Sequence, residues 1–170
     1  MSSKELLIQA LMSSEQDVLD RLGALAAADY EKGTYENGWN RRQILAHIAS
    51  LERSYPNLIA VARGDLPMPE PAGTDQRSTE QPYRPSMAGP VHAYNQRQVD
   101  KLADASPAEL LALFKKNRAT MVTVVRDADD ALLEVEVRTT GGLQGPLAAV
   151  LERVAVDHVR GHVDDILGAA

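Results

Sequence analysis

The chain contains no cysteine. Disulfides and thiolate-ligated metal are thereby excluded, and any thiol in its chemistry has to arrive with a ligand. Aromatic residues are scarce, with one Trp, one Phe and five Tyr. Packing therefore falls to Leu, Val, Ile and Ala, a composition that suits close-packed helices better than a β-sandwich. No run of Lys and Arg offsets the net charge of −6, which argues against nucleic acid as a partner. No stretch approaches the roughly 18 apolar residues of a membrane span. The opening Met1-Ser2-Ser3-Lys4-Glu5 leads into an amphipathic pattern, not an apolar signal core. A cytoplasmic protein without membrane contacts is the expectation.

What is present is an ordinary globular balance: 170 residues, 44% hydrophobic and 25% charged. That suits a single domain over residues 1–170 with a real core. A first helix is expected from Ser2 to about Ala28, opened by the S-x-x-E capping box of Ser2 and Glu5. Its apolar stripe is Leu7, Leu11, Val18, Leu22 and Leu25, with Gly23 a soft spot. A second helix begins at Asn40, which can cap, with Gln43 at the third helical position and Trp39 and Ile44 spaced as a hydrophobic staple. Ile44, Ile48, Leu51, Tyr55 and Leu58 form its buried face. Pro56 is expected to kink it and Gly64 to end it.

Residues 64–90 lack periodicity and carry six prolines (Pro67, Pro69, Pro71, Pro82, Pro85, Pro90). A connection this long is a crossover between bundle helices or a lid over a site. A shorter helix is expected from His92 to about Ala103. A longer one starts at Ser106-Pro107-Ala108-Glu109 and carries Leu110, Phe114, Met121, Val122 and Val125 inward. Leu133 to Val137 alternates with period two, an extended segment before the turn at Gly141-Gly142. The last helix is expected from about Pro146 to Leu167.

That last helix points to chemistry. At about 100° per residue, Leu147, Leu151, Val154, Ala155, His158, His162 and Asp165 share roughly a third of the circumference. The inner face is apolar at first and then becomes His, His, Asp. Ionisable groups facing a bundle need partners, because burying an unpaired polar side chain costs on the order of a few kcal/mol. His47, at the edge of the Ile44–Ile48–Leu51 arc, can point inward as well. Three imidazoles from two helices would satisfy one another through a divalent cation, with coordination positions left open. A hydrogen-bonded core histidine is the alternative for His47. His92 reads as an exposed or capping residue, Asp157 as solvated, and Asp165 as a fourth ligand, a hydrogen-bond partner of one, or equally the acceptor of a hydrogen bond from a neighbouring helix.

The segment Gly38-Trp39-Asn40-Arg41-Arg42-Gln43-Ile44-Leu45-Ala46-His47-Ile48 resembles the first signature of the DinB/YfiT-like family, in which such a residue as Trp precedes a helix bearing the first metal-binding His. Pro146 to Leu151, followed by Asp157-His158-Val159-Arg160-Gly161-His162-Val163-Asp164-Asp165-Ile166, resembles its last helix. There H-x-x-x-H is usually followed by x-x-Gln-Ile, and Asp165 departs from that pattern. The resemblance implies an all-α four-helix bundle with a long crossover after the second helix, often as a homodimer. It also implies a divalent metal, zinc or nickel, on His47, His158 and His162. Relatives include mycothiol- and bacillithiol-dependent enzymes and metal-dependent hydrolases.

The leading expectation is a metal-dependent transferase or isomerase-like enzyme acting on a small molecule, with a low-molecular-weight thiol as cosubstrate. Thiolate is the nucleophile, and a bound dication lowers a thiol's pKa. Asp165 would orient a ligand or accept a proton. Hydrolysis by a metal-bound hydroxide, with Asp165 or Glu52 as base, is the alternative within catalysis. A metal- or small-ligand-binding stress protein without turnover is the alternative outside it. A purely structural bundle would be better served by Leu at positions 158 and 162.

Overall fold

Each long helix starts where a side chain can take up its first free amides. The structure, a computed structural model, describes residues 1–35, 37–70, 77–79 and 91–168, with only the backbone of Arg77 and Ser78. Helix α1 (Ser3–Gly23) opens on the reciprocal Ser2–Glu5 box, α2 (Arg41–Leu51) on Asn40–Gln43, and the fifth helix of the chain on Ser106–Glu109. In all three, the cap oxygen accepts from the third helical amide while that residue's side chain reaches back to the cap N–H.

The remaining elements follow in order. Helix α3 is Pro56–Arg63, strand β1 Arg77–Ser78, helix α4 His92–Asp100 and helix α5 Pro107–Asp127. Strands β2 (Glu136–Arg138) and β3 (Leu143–Pro146) precede helix α6 (Leu147–Glu152), which runs through a π-turn at Arg153–Asp157 into α7 (His158–Gly168). The bundle is formed by α1, α2–α3, α5 and the composite last helix, with α4 lying against α2. No helix among the described residues is long and apolar enough to cross a membrane.

Several expectations shift, each for a local reason. The first helix stops at Gly23 instead of Ala28, and Tyr30, in the short 3-10 helix Ala27–Glu31, turns its hydroxyl back to donate to Leu22 O at 2.6 Å. Pro56 does not kink a continuous helix. It has no N–H to give and opens α3 at the first turn, after a break at 52–55. Gly64 ends that helix in the left-handed region at φ 82. The alternation over Leu133–Val137 is only partly a strand. Leu133 sits in a 3-10 helix (Asp130–Glu134), Val135 is exposed, and the ladder begins at Glu136. Leu133 and Val137 are both buried, four residues apart, which a turn followed by a strand satisfies.

The extended segment belongs to a small sheet of order β1-β3-β2, with β2 antiparallel and β1 parallel to β3. A Cβ at Gly145 would meet Thr79 Oγ1 at 2.5 Å, so the close approach of residues 77–79 depends on glycine there. Of the 64–90 connection, residues 71–76 and 80–90, and with them Pro71, Pro82, Pro85 and Pro90 and the lid expectation, lie outside the described residues.

The last helix begins at Leu147, since Pro146 closes β3. Its π-turn advances the buried positions. A uniform 3.6-residue period puts 158, 162 and 165 in line with Leu147 and Leu151. The structure buries Val159, Val163 and Ile166 fully, each one position later, together with His162. His158 and Asp165 are left half-buried at the edge of that face. One extra residue in a turn produces that displacement.

At the centre of the bundle Arg118 and Glu52 are both fully buried. Arg118 Nε and Nη2 donate to the two Glu52 carboxylate oxygens at 2.7 and 2.6 Å. Nη1 donates to Leu11 O at 2.8 Å and Nη2 also to Ala155 O at 2.5 Å. Burial pushes the Glu52 carboxyl up and Arg118 opposes that shift. Arg118→Met is expected to strand Glu52 and lower stability by about 3–5 kcal/mol, while the Arg118→Met, Glu52→Met pair loses much less. Equilibrium urea denaturation of both at pH 7 checks this, and equal losses would show that the pairing is not the source.

Candidate metal centre

His47 sits one and a half turns into α2, and its surroundings are set by the start of that helix. Trp39, just before the Asn40 cap, is 2% exposed and packs in the same cluster as Ile44, the staple partner. Its ring lies 5.2 Å from the His47 ring, and its Nε1 donates to Gln96 Oε1 at 2.8 Å. His92, read from the sequence as an exposed or capping residue, is not exposed. It is half-buried at the start of α4 and stacks on Trp39 at 6.2 Å, with Nδ1 unpartnered among the described residues. It does not join the other histidines. Asp157 is half-exposed and pairs with Arg153 at 3.1 Å.

The structure brings His47, His158 and His162 together. One ligand nitrogen from each lies within 4.8 Å of the others, an arrangement that could hold a metal ion. Ring centroids are 5.5 Å apart for His47–His158, 5.2 Å for His47–His162 and 4.5 Å for His158–His162. His158 Nε2 and His162 Nε2 are 2.7 Å apart. Asp165 Oδ2 lies 3.2 Å from His162 Nδ1. An ionised carboxylate only accepts, so His162 Nδ1 carries the proton and Nε2 presents its lone pair. Without a cation, His158 Nε2–H then donates to it; with one, both nitrogens can face the ion. His47 Nδ1 is buried with no partner among the described residues, an orphan of the kind that marks an absent ligand.

The electrostatics suit a cation. Burial first, and His162 second, lower His47 from the ordinary 6.5 to about 3. Burial, then His162 and His47, hold His158 well below its ordinary value. Imidazoles kept neutral keep their lone pairs for metal. Burial raises the Asp165 carboxyl, but hydrogen bonds from His162 and Tyr35 outweigh it and hold the group below its usual value. Asp165 is thus the partner of a candidate ligand, in the manner of carboxylate–histidine–metal triads. Glu52 is not part of this cluster. Both its oxygens are engaged by Arg118, so the base expected of it gives way to a buried counter-ion.

The cluster is reachable. His158 lines a cavity of about 470 Å³ together with Leu51, Leu58, Val154, Tyr94 and Asn95. Residues that sequence reasoning missed are Tyr35, which meets His162 edge-on at 6.0 Å and bonds Asp165, and Arg118. Arg118 follows Phe114 by four residues and precedes Met121 by three, so it is a charge in an apolar stripe. The same signal singled out His158 and could have found it.

Residues 11–166 match the family model of the mycothiol maleylpyruvate isomerase N-terminal domain. No curated protein matches the chain. Among solved structures, the mycothiol-dependent maleylpyruvate isomerase aligns with a TM-score of 0.70 at 18% identity, over 100% of this chain and 64% of that one. A mutant form of it gives 0.69 with the same identity and coverage. YfiT from Bacillus subtilis, described as a probable metal-dependent hydrolase with an unusual four-helix bundle topology, aligns with a TM-score of 0.65 at 17% identity, over 97% of this chain and 84% of that one. These likenesses show the fold, and the chain spans 64% of the length of the isomerase.

The lowered His47 value has a consequence for the metal-free protein. Folding favours the neutral ring, so its contribution to stability is complete above pH 6.5 and is lost as pH falls toward 3. The metal-free protein is expected to be less stable to urea at pH 5 than at pH 7. His47→Leu, which has no proton to take up, is expected to flatten that dependence. An unchanged slope in the variant would assign the titration to other groups.

Proposed function

We propose, from the premise that this chain belongs to the mycothiol maleylpyruvate isomerase N-terminal domain family, that it is a metal-dependent enzyme. It uses a low-molecular-weight thiol to transfer to, or isomerise, a small molecule. The ligands in this reading are His47, His158 and His162, and the ion is zinc or nickel. The observation that carries it is the convergence of three inward imidazoles, two of them held neutral, beside a cavity bordered by His158.

The rest of the reading assigns tasks to this chain's own side chains. A bound dication would supply the positive charge that makes a thiol ionise near neutral pH. Asp165 orients His162 through Nδ1 and keeps its other nitrogen free to bind. Trp39 packs against the His47 ring and limits its rotation. The apolar cavity wall, from Leu51, Leu58 and Val154, excludes water from the substrate while Asn95 and Tyr94 offer polar contacts.

Thiol chemistry is favoured over hydrolysis by the fate of the carboxylates. The hydroxide mechanism considered above draws its base from Asp165 or Glu52, yet Glu52 is taken by Arg118, and Asp165 by His162 and Tyr35. A thiol bound to a dication would give its proton to solvent, with neither carboxylate called on. The homodimer implied by the family likeness and the cytoplasmic location belong to the same proposal.

Metal content per chain, by inductively coupled plasma mass spectrometry on untagged protein, tests the reading. Near-stoichiometric zinc or nickel is expected in the wild type, with loss of most of it in His47→Ala and in His158→Ala. A wild type that holds little metal and takes up no zinc, nickel or manganese would overturn it. With metal established, thiol consumption against ester and amide hydrolysis over a substrate panel separates the transferase reading from the hydrolase one.

A further inference from the structure

The geometry points to Arg118 and Tyr55 as positioning residues of the metal centre: they clasp the π-turn that brings His158 to the cavity wall. This rests on the three-histidine reading above. It goes beyond that reading by assigning the phase of the last helix to donors on other helices.

A regular helix from Leu147 to Gly168 would align His158 with Leu147 and Leu151, facing the core. The π-turn at Arg153–Asp157 moves the fully buried positions to Val159, Val163 and Ile166. His158 is thereby set at the edge of the inner face, where it borders the cavity while its Nε2 still lies 2.7 Å from that of His162. The displacement gives the site one wall toward the protein and one toward a ligand.

A π-turn is rare because it exchanges i+4 bonds for i+5 bonds of poorer packing, and it persists where something outside the helix stabilises it. Two donors from elsewhere in the bundle end on carbonyls of this turn. Tyr55, just before α3, donates its hydroxyl to Val154 O at 2.7 Å. Arg118 of α5 donates Nη2 to Ala155 O at 2.5 Å. Arg118 is in turn oriented by both oxygens of Glu52, five residues beyond His47 at the end of the same helix. The element carrying His47 and the one carrying His158 and His162 are therefore tied through a single guanidinium. Neither Arg118 nor Tyr55 belongs to the ligand cluster, so each acts on the site through the backbone of the π-turn.

The test uses Tyr55→Phe, which removes one hydroxyl and keeps the packing, and Arg118→Lys, which keeps the charge and loses the fork. Leu7→Ala, a core change that removes neither donor, is the control for lost stability alone. In the metal-free proteins, imidazole resonances of His158 by heteronuclear NMR and amide exchange over residues 155–160 report the turn directly. Both variants are expected to shift the His158 ring signals and speed that exchange, with Leu7→Ala leaving the ring signals in place. Unshifted His158 signals in Tyr55→Phe would overturn the proposal, even if Arg118→Lys does not fold. Cobalt(II) affinity by chelator competition is expected to fall about 10- to 100-fold in the variants, and a fall no greater than that of Leu7→Ala would likewise overturn it. A wild type that binds no cobalt would sink the metal reading, while the ring signals still decide the positioning.

Discussion

One buried guanidinium fixes where the helices of this bundle meet. Arg118 spends four of its five N–H donors inside the core, on Glu52 of α2, Leu11 of α1 and Ala155 of the last helix. A buried ion pair is a weak source of net stability, since desolvation offsets most of the Coulombic gain. Its strength is specificity. Slide any one helix by a turn and a charge is left without its partner in a dry interior, whereas a shifted Leu finds another apolar neighbour. Phe114, one turn before Arg118, places its ring 5.0 Å below the guanidinium and completes the enclosure. The pair therefore sets the relative heights of α1, α2, α5 and the last helix, and His47, His158 and His162 inherit their spacing from that choice.

The candidate site follows the opposite electrostatic logic. Arg118 and Glu52 are buried as a compensated pair, whereas His47 and His158 are buried with their charged forms suppressed. Three imidazoles facing one another would repel if protonated, so the fold stabilises the lone-pair form at the place where lone pairs converge. Among the described residues, the anion in contact with the cluster is Asp165, and it meets the far nitrogen of His162 and not the shared space. Gln is usual at that position in the resembling family. A carboxylate there strengthens the hold on the Nδ1 proton and makes Nε2 of His162 the better donor to a cation.

Much of this was legible in the sequence because it is local. The caps at Ser2, Asn40 and Ser106 act over three residues, and each formed as expected. The inward stripe of α5 came out fully buried at Leu110, Phe114, Met121, Val122 and Val125. The meeting of His47 with His158 and His162 was expected from helix faces together with the resemblance, although the π-turn sets His158 at the edge of its face. What was not legible depends on partners distant in sequence. The π-turn needs Tyr55 and Arg118, from 99 and 37 residues away, so no window of the last helix announces it. The parallel pairing of β1 with β3 joins residues 77–78 to 143–144 and leaves no periodic trace in either. The half-burial of His92 involves Trp39, across the 64–90 connection, and no local pattern carries it. Arg118 is a different case: as a charge in the apolar stripe of Phe114 and Met121 it is legible by the same signal that marks His158 and His162.

The division of labour in the molecule bears on what the fold can do chemically. The ligand cluster is held by α2 and the last helix, which are locked to each other through Arg118 and Glu52. The cavity beside it takes one side of its wall from these same elements, at Leu51, Val154 and His158, and the other from Leu58 and Val61 of α3, Tyr94 and Asn95 of α4, and the turn at Thr139, Thr140 and Gly141. Tyr94, Asn95 and that turn belong to neither the ligand cluster nor the clasp, whereas Tyr55 of the clasp lines the cavity itself. The candidate ligand frame and the far wall of the cavity are thus carried by largely separable parts of the chain.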